Sequence, residues 1–319
     1  MTTNRPTGPT TPTPASALAP APVAVVGLGP MGVVLAETYL RAGHPLTVWN
    51  RTAARADDLV ARGARRAGSV SDAVAAAEVV VVCTKDYESL YEAFGDIEVP
   101  EVPGRARPLV VNLNSGTPEE ARTAASWAAD REFGYLDGAI MVPPPMVGSP
   151  GAVFLYSGPR EHFDSARPVL EPLGDPRYLG PDTGLAVLYN TALLEMMYAN
   201  MNGWLHAAAL VGSAGVPAAD FAELALGWFA PAVLAPEGLR AGAGDLDRAE
   251  YPGELGTLRM NLNALDHIVR TSREVGVPDD QPRLMREIAE RAVAAGYGDL
   301  NYLAVFETFR TAAGSGAAR

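Results

Sequence analysis

The chain has 319 residues, 48% of them hydrophobic, enough for one or two domains with a sizeable core. Its net charge of −12 argues against nucleic acid as a partner, because a phosphate backbone needs a basic face. The one cysteine, Cys83, excludes a disulfide framework and a cysteine metal site and fits a reducing cytoplasm; the four histidines lie too far apart in sequence to suggest a metal site, and no apolar run is long enough to span a membrane.

Residues 1–21 are rich in Thr, Pro and Ala without an apolar stretch, and read as a disordered tail rather than a signal peptide. Order is expected to begin at VAVVGLGPMG, Val23 to Gly32. Here a strand runs into a glycine turn and then a helix. Gly27, Gly29 and Gly32 have the G-x-G-x-x-G spacing: the first for a tight turn, the second for close backbone approach to a pyrophosphate, the third for helix-on-strand packing. Pro30 suits the first helical position, and the free N–H groups of that helix start would hold phosphates, with Leu28 and Met31 lying between the motif residues.

The next strand, LTVW, ends in Asn50-Arg51-Thr52, with Arg55 a turn later. An NAD enzyme is expected to carry Asp or Glu here, about 20 residues past the glycines, to grip the ribose 2′-OH. A guanidinium and a hydroxyl instead suit a 2′-phosphate, so the pattern predicts NADP(H). The simpler alternative is a strand-turn-helix with a surface arginine.

Further strands are expected at VVVVCT, PLVVNLN, YLDGAIM and AVFLYSG, alternating with helices at 53–63, 69–77, 87–94 and 118–131. The continuous β-branched runs suit strands buried on both faces of a parallel sheet. Thr117-Pro118-Glu119-Glu120 carries a helix start: N-cap, proline at the first position, acids in the first turn. Cys83, Thr84, Asn112, Asn114 and Ser115 stand at strand ends, where a doubly wound α/β sheet opens its ligand crevice. Asn114 and Ser115 are the better candidates for the cofactor. Asn112 suits a strand-end cap, and Cys83 a small buried hydrophobe.

Past Gly180 the strand patterns stop. The segment 184–215 reads as one long helix, apolar nearly all round and therefore expected to be buried between domains or subunits. Further helices are expected at 219–236, 254–276, 282–296 and 301–313. The reading is a Rossmann-type doubly wound parallel sheet over 22–182, an interdomain helix over 183–212, an all-α domain over 213–311 and a second disordered tail over 312–319.

The segments GLGPMG, WNRT, VVNLNSGTPEEAR, YLDGAIMVPPPMVGSPGAVFLYSG and GLAVLYNTALL resemble the imine reductases and reductive aminases, a branch of the β-hydroxyacid dehydrogenase superfamily. The resemblance covers the chain from about Val23 to Phe309. It implies an NADPH-dependent enzyme that delivers hydride to an imine carbon, with reductive amination as a further capacity. It also implies a homodimer whose helical domains interlock and complete each other's sites. The superfamily's hydroxyacid branch places a catalytic lysine on the interdomain helix, whereas here the only lysine is Lys85, near a strand end. Where imine reductases carry Asp or Tyr on that helix, this chain has Asn190. An amide cannot be a general acid but can accept a hydrogen bond from a substrate N–H.

Tyr198, eight residues on, lies on roughly the same side as Leu194, Met197 and Met201 and matches a pocket tyrosine of the reductive aminases. Its alternative is an interface tyrosine bonded to backbone; that of Asn190 is a buried amide bonding within a helix pair. Trp228, Phe229 and Met260 are the candidate walls for a cyclic or hydrophobic imine, with Trp228 foremost by the resemblance; Trp204 is a further one, and each also suits plain core. The rival functions are a hydroxyacid or semialdehyde dehydrogenase, a catalytically weak NADP-binding homologue, and a biosynthetic enzyme with one dedicated imine.

Overall fold

In a strand, four consecutive valines are all buried only when both faces of the sheet are covered. In the computed structural model, which describes residues 20–95, 97, 107–233 and 236–310, the strand β4 (Val79–Val82) is such a strand. Val79 and Val81 enter one core, and Val80 and Val82 the other. β1 (Val23–Val26) divides its residues the same way. With β2 (Leu46–Trp49), β3 (Arg65–Arg66), β5 (Leu109–Asn112), β6 (Gly134–Ile140), β7 (Val153–Ser157) and β8 (Asp175–Gly180) they form one sheet, in the order β3-β2-β1-β4-β5-β6-β7-β8. Every neighbouring pair is parallel except β6 and β7.

The helices α1 (Pro30–Arg41), α2 (Asp57–Ala61), α3 (Val70–Ala75), α4 (Tyr87–Phe94), α5 (Pro118–Ala129) and α6 (Arg160–Leu170) accompany the sheet. Buried residues of α1 and α6 join the core that holds Val79, and those of α3, α4 and α5 join the opposite one. The Rossmann-like α/β architecture is therefore present, with two differences from expectation. The sheet has eight strands, not six, and one antiparallel pair makes it mixed. The additional strands lack a sequence signal for physical reasons: β3 is a two-residue exposed edge, and β8 is a half-exposed edge carrying Pro176.

α7 (Leu185–Gly212) is one unbroken helix. The chain divides into two compact units, Met1–Leu194 and Glu195–Arg319, with the cut falling inside this helix. Only Ala186 and Val187 of α7 are buried in the single chain. Among the described residues the rest of α7 is half-buried or exposed, so burial between the domains of one chain is not seen, and burial between subunits is left as the other half of the expectation. The second unit continues with α8 (Ala218–Leu224), α9 (Ala230–Val233), α10 (Pro236–Arg248), α11 (Leu258–Glu274), α12 (Asp280–Ala292) and α13 (Phe306–Arg310). Its core is small, built from Leu258, Leu265, Ala289, Ala292 and Val305. The helix expected over 219–236 is interrupted by a π turn at Ala225–Phe229, and α12 ends in another at Val293–Tyr297, closed by Gly296 at φ +99°. α6 and α10 were not anticipated. The tails expected over 1–21 and 312–319 lie outside the described residues, except Pro20 and Ala21.

Candidate active site

The glycine turn follows β1, and the loop Cys83–Thr84 follows β4, its neighbour in the sheet. Strand order reverses between these two strands, which is where a doubly wound sheet opens its crevice. Gly27 has φ +98°, and a Cβ there would stand 2.3 Å from the carbonyl oxygen of Cys83. A Cβ on Gly32 would stand 2.0 Å from the oxygen of Gly27. At Gly29 a Cβ would meet nothing within 4 Å. The first and third glycines are therefore demanded by the protein's own packing, and the second is not.

Gly29 is the N-cap of α1, with Pro30 behind it, no side-chain cap and no acid in the first turn. The helix start is thus open to an anion. A cleft of about 500 Å³ lies in front of it. Gly27, Gly29, Pro30, Met31 and Gly32 line it on one side, and Asn50, Arg51, Thr52 and Arg55 on another. Cys83, Thr84 and Lys85 form its third wall, and α4 closes it with Ser89, Glu92 and Ala93. The Leu28 side chain is buried in the core instead.

Not every polar group here is free for a ligand. Asn50 accepts from the Leu28 N–H at 2.9 Å and donates to the Thr52 carbonyl at 3.0 Å, so its amide stitches the glycine turn to the end of β2. Arg55 donates to the Leu28 carbonyl at 3.3 Å. Arg51 is 88% exposed, and its guanidinium lies 3.6 Å from the Glu92 carboxylate. Sequence order gave no hint of that acid, which comes from another element 41 positions later.

A second cleft of about 250 Å³ lies beyond Met31, Cys83, Thr84 and Lys85, which line both. Its remaining walls are Leu113, Asn114, Ser115, Ala139, Ile140, Val187 and Asn190. Asn190 and the strand-end residues therefore meet in one place. The Asn114 amide accepts from the Thr84 N–H at 2.6 Å and donates to the Thr84 hydroxyl and the Asp86 carbonyl, so it braces two loops. Asn112 lines neither cleft; it is buried and donates to Asp137 at 3.1 Å. Burial pushes the Cys83 thiol up to about 11, which leaves it an unreactive small hydrophobe at neutral pH. Asp86 sits below the usual carboxylate range because its side chain accepts from Ser89 while capping α4. Lys85, 3.4 Å from Asp86, is the cation shared by both clefts and was not among the expected site residues.

Leu194 stands four residues beyond Asn190 on α7, exposed in the single chain and outside both clefts. Within the second unit, Tyr198, Met197 and Met201 lie on the same helix, exposed. Trp228 and Phe229 share the π turn with ring centroids 6.3 Å apart, and Met260 lies in the first turn of α11; all three are exposed. Trp204 stacks on Phe221 at 5.3 Å. None of these candidates lines either cleft of the first unit. Among the described residues no group of His, Cys, Asp and Glu could hold a metal ion.

The chain is 36% identical over 290 residues to an NADPH-dependent reductive aminase of Aspergillus oryzae, covering 90% of this chain and 97% of that one. It belongs to the imine reductase and reductive aminase family. Residues 182–311 match the model of the NADPH-dependent reductive aminase-like C-terminal domain, and residues 22–186 that of the NAD binding domain of 6-phosphogluconate dehydrogenase. An imine reductase of Bacillus cereus superposes with a TM-score of 0.82 at 34% identity, covering 90% of this chain and 98% of that one. A reductive aminase of Aspergillus terreus, solved with NADPH and ethyl levulinate, gives 0.80 at 38% identity, covering 91% and 99%.

Proposed function

We propose that this member of the family is an NADPH-dependent imine reductase that converts C=N to an amine, with reductive amination of a ketone and an amine as a second capacity. The observation that carries the reading is the smaller cleft, which brings Asn190 of α7 beside the loops after β4 and β5 with no lysine on that helix.

The residues present fit the cofactor. Gly29 faces open space that its own fold leaves unused, an uncapped helix start stands behind it, and Arg51, Thr52 and Arg55 supply donors for a 2′-phosphate. When bound, NADPH supplies a hydride from nicotinamide C4. The chain's own residues do the rest. Met31, Leu113, Ala139, Ile140 and Val187 give the smaller cleft apolar walls that restrict water. Thr84, Asn114 and Ser115 form its polar side, and the carbonyl oxygen of the Asn190 amide accepts the substrate N–H and orients the C=N carbon.

Asn190 has no proton to give. An imine tolerates this better than a ketone: its nitrogen is basic enough to arrive protonated, and the iminium carbon is already electrophilic. Tyr198 serves as a polar contact or proton relay. Leu194, Met197, Met201, Trp228, Phe229 and Met260 form apolar walls for a cyclic or hydrophobic imine, and Phe229 and Trp228 attract its positive charge.

The apolar, exposed length of α7 supports a homodimer, the partner covering what the single chain leaves in water. The same proposal assigns 22–182 to cofactor binding, 183–212 to the connecting helix and 213–311 to the helical domain; support for a joint within α7 is that the first compact unit ends at Leu194. It places the enzyme in the cytoplasm. Among the described residues, no helix is long and apolar enough to cross a membrane.

The test is NADPH oxidation with cyclic imines, set against 2-keto acids and 3-hydroxy acids, with chiral separation of the amine. Imine turnover is expected to exceed the others. Faster turnover of the acids would move the protein to the hydroxyacid branch, and cofactor binding without turnover across the panel would make it a weak homologue.

A further inference from the structure

Asp137 lies on β6 with no exposed surface, in the core between the sheet and α4 and α5. Three donors from three elements converge on its Oδ2: the Tyr135 hydroxyl at 2.7 Å, the Tyr87 hydroxyl of α4 at 2.9 Å and the Asn112 Nδ2 of β5 at 3.1 Å. We propose that Asp137 is a positioning residue, whose carboxylate sets the two loops that floor the smaller cleft. The proposal rests on the imine reductase reading for its link to turnover.

The chain of contacts is continuous. Because the Asn112 amide gives its N–H to Asp137, its oxygen is turned to the backbone N–H of Asn114, at 3.4 Å. Asn114 in turn holds Thr84 and Asp86 through both ends of its own amide. Thr84, Asn114 and Ser115 then face Asn190 across the cleft. The Tyr87 ring packs close on Gly116, where a Cβ would stand 2.5 Å from it, so α4 leans directly on the loop after β5. Protonating Asp137 removes the charge that these three donors share, and the Asn112 amide loses its strongest reason to keep its orientation.

Burial lifts Asp137 to about 7, against the hydrogen bonds from Tyr135, Asn112 and Tyr87 that favour the charged form. Tyr135 and Tyr87 are pushed far up by burial and stay donors throughout. Tyr91 of α4 is also raised, by burial first and then by Glu120 and Asp137. Glu120 of α5 is held by the Thr117 cap and is the other acid on this side.

The experiment measures kcat from pH 5.5 to 9 with N-methyl-3,4-dihydroisoquinolinium, whose fixed charge removes substrate protonation from the profile and which, having no N–H, also leaves the Asn190 contact out of it. Wild type is expected to lose activity as pH falls through about 7. Asp137→Asn is expected to stay folded, to run about tenfold slower at pH 8.5 and to lose that inflection. Tyr87→Phe removes one donor from the carboxylate while keeping the ring that packs on Gly116, and should move the inflection to higher pH. Wild-type rates in Asp137→Asn at pH 8.5, or an inflection that neither variant moves, would overturn the proposal. The NADPH dissociation constant, read by fluorescence over the same pH range, should follow the same inflection. An inert wild type would therefore sink the imine reading and still leave Asp137 under test.

Discussion

Arg51 and Glu92 face each other at the mouth of the larger cleft, and a 2′-phosphate would have to compete with the carboxylate for the guanidinium. Arg51→Ala should weaken NADPH far more than NADH, by equilibrium fluorescence; equal losses would remove Arg51 from the 2′-phosphate site. Glu92→Gln should do the reverse and tighten NADPH. The gain is at most about fivefold, because an exposed pair is worth only about 0.2–1 kcal/mol. Asp137 carries a stability consequence of its own. Its folded value of about 7 lies above its ordinary 3.8, so its contribution is fully present below pH 3.8 and is lost as pH rises through 7. The melting temperature of wild type relative to Asp137→Asn should therefore fall between pH 4 and pH 7, and a constant difference would show that Asp137 does not titrate in this window.

The turn between β1 and α1 separates folding from binding within six residues. Gly27→Ala and Gly32→Ala force a Cβ against backbone at 2.3 Å and 2.0 Å, so both should lower the melting temperature sharply. Gly29→Ala meets only open space and should fold normally while losing most NADPH affinity, as measured by calorimetry. A stable variant with unchanged affinity would break the phosphate role. The start of α5 was also legible in sequence: Thr117 and Glu120 form a reciprocal capping box. Thr117→Ala should cost about 1 kcal/mol in denaturant unfolding. The π turn carrying Trp228 was not legible, because its residues favour an ordinary helix equally well and only packing selects the extra residue.

At the scale of the molecule, α7 carries apolar side chains that the described residues leave exposed. Leu193, Met196, Met197, Met201 and Leu205 are exposed along it. Such a length of apolar helix is expected to associate, and Met196→Glu with Leu205→Glu should shift the protein to a monomer by light scattering. If the homodimer completes the pocket, that monomer should still bind NADPH, since both clefts are lined within Met1–Leu194, but should lose turnover. A double variant that remains dimeric would put the interface elsewhere.

What the sequence by itself determined is local or periodic. The glycine spacing, the β-branched strands buried on both faces, the arginine after β2 and the absence of lysine from α7 are properties of neighbouring residues, and each bears directly on backbone conformation or on chemistry. What only the tertiary structure decided is which residues from distant elements meet. Glu92 reaches Arg51 from α4, Lys85 joins the two clefts, and Asn50 and Asn114 spend their amides on the protein itself. Asp137, on β6, takes its donors from positions 2, 25 and 50 residues away, one of them at the end of β5 beside the smaller cleft. Those meetings depend on strand order and on the packing of helices against the sheet. No spacing along the chain encodes them, because contacts between separate elements follow from the whole core closing at once.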